Sequence, residues 1–238
     1  MIDKMVGKTE VALYGLAYSI GMLVQLFISG MNSALTPWMY SKIKKGDIRS
    51  MRKVLQLLSV VVVGIAVALM LISPELVLIF GSPKYREAVY VIPPVAASVF
   101  FVFIYNILSM PQFYYEKTQF LMAASMAAAG ANVVLNFIFI RLFGYIAAGY
   151  TTLACYMLYS VGHYIVSKRI LVNEGIRENL MSPGFLVASS VFLIGASIIC
   201  NLIFPYRILR YAILLASAGL VFWKKELLLK TMADIRKK

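Results

Sequence analysis

Residues 11–41 contain no Asp, Glu, Lys, Arg or His, an uncharged run of 31 positions. A helix needs about 20 apolar residues to cross the hydrocarbon core of a bilayer, so this run is long enough to span it. Read at helical spacing, Tyr14, Tyr18, Gly21, Gln25, Ser29, Asn32 and Thr36 follow one another at steps of three and four. They share one face, while Leu13, Leu16, Ile20, Leu23, Leu26 and Phe27 cover much of the rest. An amide in hydrocarbon costs several kcal/mol unless it is hydrogen-bonded or wet. The stripe therefore looks at other helices or at water, and Tyr14, Tyr18, Gln25, Ser29 and Asn32 are candidate cavity-lining residues.

The remaining chain repeats the pattern. Uncharged or nearly uncharged runs cover residues 54–74, 88–115, 118–140 and 142–167, and two more follow Ser182-Pro183 and Tyr206. With 61% hydrophobic and 14% charged residues, against the quarter charged of a soluble domain, the chain is an all-α integral membrane protein of about seven transmembrane helices. The Ser73-Pro74-Glu75 sequence is expected to end the second run, leaving residues 76–80 as a short interfacial piece. The fourth run carries Ala123, Ala127 and Ala131 four apart, with Ala124 and Ala128 likewise, which predicts close approach to the fifth in a tight hairpin. The seventh spans only if Arg210 snorkels outward.

Formal net charge is +13, but the basic residues fall between apolar runs and form no basic face, so nucleic acid is not a partner. Alternate connecting segments (42–53, 116–118, 168–181, 224–238) hold 16 of the 23 Lys and Arg residues. By the positive-inside rule these are cytoplasmic, which puts the amino end of this multi-pass chain outside and the carboxyl end inside. Trp38, Tyr40, Tyr114, Tyr115, Tyr164 and Trp223 mark inner ends, with Tyr90 and Tyr206 near outer ones. An odd number of spans that starts outside without a signal peptide leads us to expect further chain upstream.

Catalytic chemistry has little to work with. The ten acids fall in loops or at helix ends, Glu75 being nearest to a span, so no carboxylate is expected within the membrane. The only histidine, His163, is placed about one turn from the end of its span, where packing and proton handling are the two readings. Cys155 and Cys200 lie in apolar runs, and with one histidine they make no metal site. No cofactor motif and no nucleophile motif is present, so an enzyme is not expected and no catalytic residue is assigned. Asn132 and Asn136, one turn apart on the fourth run, are candidate lining residues or interhelical hydrogen-bond partners. Tyrosines beside amides would suit a sugar-lined path.

Several stretches resemble bacterial polysaccharide and O-antigen flippases of the multidrug and toxin extrusion superfamily. These are Met1-Ile2-Asp3-Lys4-Met5-Val6-Gly7 running into Val11-Ala12-Leu13-Tyr14, then Pro37-Trp38 before Lys44-Lys45-Gly46-Asp47. Tyr85-Arg86-Glu87-Ala88 before Ile92-Pro93 follows, and then the longest block, Tyr115-Glu116-Lys117-Thr118 through Asn132 and Asn136 to Phe143-Gly144-Tyr145-Ile146-Ala147-Ala148. The resemblance covers residues 1 to about 170 and implies the carboxyl-terminal lobe of a two-lobe, alternating-access flippase in the bacterial inner membrane. Residues 1–170 would form that lobe, without its first helix, and residues 171–238 two additional helices with a basic cytoplasmic tail. The implied cargo is a lipid-linked oligosaccharide. The implied partners are an amino-terminal half or another membrane subunit, together with membrane lipids, and without the missing lobe the chain is expected to be inactive. Two alternatives remain: half of a cation-coupled multidrug exporter, and a non-transporting scaffold subunit of glycan assembly.

Overall fold

A computed structural model describes residues 1–223. The basic tail at residues 224–238 and the Trp223 side chain lie outside the described residues. The described residues are helical throughout apart from short connections: α1 (Ile2–Met5), α2 (Lys8–Lys44), α3 (Ile48–Phe80), a 3-10 segment (Pro83–Tyr90), α4 (Ile92–Tyr114), α5 (Gln119–Phe143), α6 (Ala147–Asn173), α7 (Pro183–Ile203) and α8 (Arg207–Trp223). Five of these, α2, α3, α4, α5 and α7, are long and apolar enough to cross a membrane. Two of the seven expected spans fall outside that group. α6 has 27 residues but turns Thr151, Ser160, His163 and Ser167 inward, which dilutes its apolar content. α8 is described over 17 residues and starts at Arg207.

α4 is the axis of the bundle. Its sequence is apolar on every side, and such a helix is stable only when surrounded. Accordingly Val95, Ala96, Ala97, Val99, Phe100 and Phe103 are all fully buried. α2, α3, α6 and α7 pack around α4, while α5 lies outermost against α6 and α8 rests on α3 and α7. Two glycines set close approaches to α4. A Cβ on Gly21 of α2 would lie 2.4 Å from Val95 Cγ1, and one on Gly149 of α6 would lie 2.9 Å from Pro94 Cγ.

Two ends of the bundle are tied differently. At one, Arg52 Nε donates to the Asn179 carbonyl (2.6 Å) and Lys117 Nζ pairs with Glu174 (2.9 Å), which gathers the 42–53, 116–118 and 168–181 segments. Asp47 caps α3 there by accepting from the Ser50 amide (3.3 Å). At the other end, the Tyr145 hydroxyl donates to the Glu87 carbonyl (3.3 Å), and Gly81 sits against Leu16.

Two expectations are corrected. α3 does not stop at Pro74 but continues to Phe80. Proline lacks the N–H that would bond the Met70 carbonyl, and the Ser73 hydroxyl supplies that bond instead (2.8 Å). Glu75 therefore lies inside a helix and not in a loop. Arg210 does not snorkel outward: it is 3% exposed and points at α3, where its Nη1 and Nη2 grip both oxygens of Glu75 at 2.8 and 2.9 Å. A buried guanidinium is tolerated only when paired in this way. α6 itself runs on past that uncharged run to Asn173, and His163 is fully buried within it.

Candidate functional site

The polar face of α2 is divided by its contact with α4. Above Gly21, Tyr14 and Tyr18 stack at 5.8 Å and open onto a cleft of about 490 Å³. α4 contributes Tyr105, and α6 contributes Thr152, Cys155, Tyr156 and Tyr159. α5 closes the far side with Ser125, Asn132 and two alanines, Ala128 and Ala129. The five tyrosines fall into a stacked pair on α2 and a trio on α4 and α6. Tyr105 lies parallel to Tyr156 at 6.2 Å and edge-on to Tyr159 at 4.7 Å, and Tyr159 OH shares a hydrogen bond with Ser125 (2.8 Å).

Among the described residues, no charged side chain lines this cleft. What it offers is flat aromatic faces, hydroxyls, one amide and one thiol. Such a surface can stack on the C–H faces of an uncharged ligand and exchange hydrogen bonds with its hydroxyls.

His163 lies under the tyrosines. Its ring meets Tyr159 at 4.5 Å, Phe120 at 5.4 Å and Tyr105 at 5.9 Å, and Gln112 Nε2 approaches its Nδ1 at 2.8 Å. Its Nε2 has no hydrogen-bond partner among the described residues.

The sequence-derived candidates do not gather at one place. Tyr14, Tyr18 and Asn132 line the cleft. Asn136 sits in the α5–α6 seam, donating to Asn132 Oδ1 (2.8 Å) and accepting from Thr151 Oγ1 (2.6 Å). Asn132 Nδ2 in turn reaches Cys155 Sγ at 3.7 Å. Gln25, Ser29 and Asn32 lie below Gly21, outside the cleft lining. Ser29 is exposed, and its carbonyl accepts from Ser33 (3.0 Å). Gln25 and Asn32 are half-buried, and Gln25 Oε1 and Asn32 Oδ1 are shielded without a hydrogen-bond partner among the described residues.

Tyr105, Tyr156 and Tyr159 were not among the candidates. The last two could have been found by the test applied to α2, because Thr152, Tyr156, Tyr159 and His163 follow at steps of four, three and four along one face. α5 packs along α6 as the expected hairpin, and its alanines leave room beside that contact. Ala124, Ala127, Ala128 and Ala131 border a hollow of about 290 Å³ against α6, so they thin the seam. Among the described residues no group of His, Cys, Asp and Glu could hold a metal ion.

The MatE family model matches residues 1–138, more than half of the chain, and takes in Tyr14, Tyr18, Tyr105 and Asn132. No curated protein and no solved structure matches the chain.

Proposed function

The chain belongs to the MatE family of membrane transporters, and from that premise we propose that it moves a lipid-linked oligosaccharide across the bacterial inner membrane as one lobe of a polysaccharide flippase. The observation that carries this reading is the tyrosine cleft between α2, α4, α5 and α6, which is roomy, aromatic, hydroxylated and, among the described residues, free of charge. Sugars suit such a surface better than a diphosphate does. The cations for the diphosphate would come from a second lobe facing this one, since alternating access needs two bodies rocking about a shared site. The unpaired oxygens of Gln25 and Asn32 support a polar surface opposite the lower half of α2, because a shielded amide oxygen without a partner costs about 1–3 kcal/mol. The amino end would lie outside and the carboxyl end in the cytoplasm, which fits the gathering of the basic segments at one end of the bundle.

The test combines Tyr18→Ala and Tyr156→Ala with a glycan export assay in the organism's own membranes. Loss of export of about tenfold or more at unchanged protein level is expected, in line with stacking worth about 0.5–1.5 kcal/mol per ring. Normal export in the double variant overturns the reading. A cysteine placed at Gln25 separates the scaffold alternative: labelling by a water-soluble thiol reagent supports a wet pathway, and protection in every state supports a dry subunit contact.

A further inference from the structure

α3 carries a weak point. Pro74 withdraws one backbone hydrogen bond, its ring crowds the preceding turn, and helices kink at such places unless neighbours intervene. Two neighbours do. Ser73 takes the freed Met70 carbonyl (2.8 Å), and Arg210 of α8 donates from Nη1 to the Leu71 carbonyl (2.6 Å). The same guanidinium holds Glu75, one residue past the proline, through both carboxylate oxygens, and Tyr211 adds a hydroxyl donor to Glu75 at 2.9 Å. One rigid, planar group is thus fastened to α3 on both sides of Pro74.

We infer that Arg210 is a positioning residue: α8 splints the proline hinge of α3 and thereby sets the α2 wall of the tyrosine cleft. The path from hinge to cleft is short. α3 ends at Phe80, and a Cβ on the next residue, Gly81, would come within 2.8 Å of Leu16 on α2. Leu16 lies midway between Tyr14 and Tyr18, two residues from each. A bend at Pro74 swings residues 75–81 about the hinge and displaces Leu16 with them, whereas a straight α3 holds the two tyrosines in place. The inference concerns the geometry of the cleft and stands whether or not a glycan passes through it.

The test uses the full chain in lipid nanodiscs. Glu75→Gln with Arg210→Gln removes both charges together, so that no buried charge is left unpaired. Hydrogen exchange is read for the amides of residues 75–81. Thiol labelling of Cys155, which lines the cleft, is read by mass spectrometry so that Cys200 is counted apart. In the double variant, exchange at 75–81 and labelling at Cys155 should each rise about tenfold. Adding Pro74→Ala restores the missing N–H, removes the need for a splint, and should return both readouts to within about twofold of the parent. Unchanged readouts in the double variant overturn the inference. So does a rise that Pro74→Ala fails to suppress, because Arg210 would then only anchor α8. If the double variant does not fold but the triple variant does, the splint is supported; if neither folds, Arg210 is an anchor and the inference fails.

Discussion

At Gly21 the α2 stripe is cut in two, because α2 can press onto α4 only where no side chain intervenes. Gly21→Ala would bring a methyl to 2.4 Å from Val95 Cγ1, and the stiff β-branched valine cannot swing aside. We expect a loss of about 1–3 kcal/mol, read as a lower melting temperature of the detergent-solubilised protein. Asp47 is a second position where one residue sets local structure. The Lys42 ammonium and the Ser50 amide both hydrogen-bond its carboxylate and hold its pKa down at about 2. A depressed carboxylate stabilises the fold above its unfolded value and loses that contribution as the pH falls through the folded one. Asp47→Ala should therefore cost about 1 kcal/mol at neutral pH, with the difference from the parent narrowing below about pH 4 and vanishing near pH 2. Melting curves of the two proteins across that range check this.

Among the elements, α5 is held almost entirely by α6, and of its residues Ile140 alone is fully buried. The Asn132–Asn136–Thr151 chain of hydrogen bonds is the polar part of that attachment. Asn136→Leu should loosen it by about 0.6–2 kcal/mol, with faster hydrogen exchange confined to α5 and the 144–146 turn. The uncharged runs made the start and course of most helices legible in the sequence, since apolar length and flanking Lys or Arg follow from membrane physics alone. Pro74 misled for a physical reason. Whether a proline ends a helix depends on what steadies the backbone around it: Ser73 takes the freed Met70 carbonyl locally, while Arg210 holds the Leu71 carbonyl from 139 positions away in the chain. The candidate site was half legible. Tyr14 and Tyr18 announced themselves on a long polar stripe, whereas Tyr105 lies with Ser109 and Gln112 on a short polar face of a mostly apolar helix and joins the site through the packing of α4 against α6.

For the whole molecule, the basic segments 42–53, 116–118 and 168–181 lie at one end of the bundle and the Glu87–Tyr145 contact at the other. With the proposed orientation, a cysteine replacing Lys45 should react with an impermeant thiol reagent only after the inner face is opened, and one replacing Lys84 should react from outside in intact cells. The reverse pattern would invert the molecule. The encirclement of α4 has a consequence for biogenesis. Two of the helices that wall it in, α2 and α3, are made before it, but α6 and α7 are made after it. While the ribosome is still translating, α4 must wait in lipid with its later-covered flank bare. The bundle closes only once α6 has entered the bilayer, so membrane chaperones have their window between those two insertions.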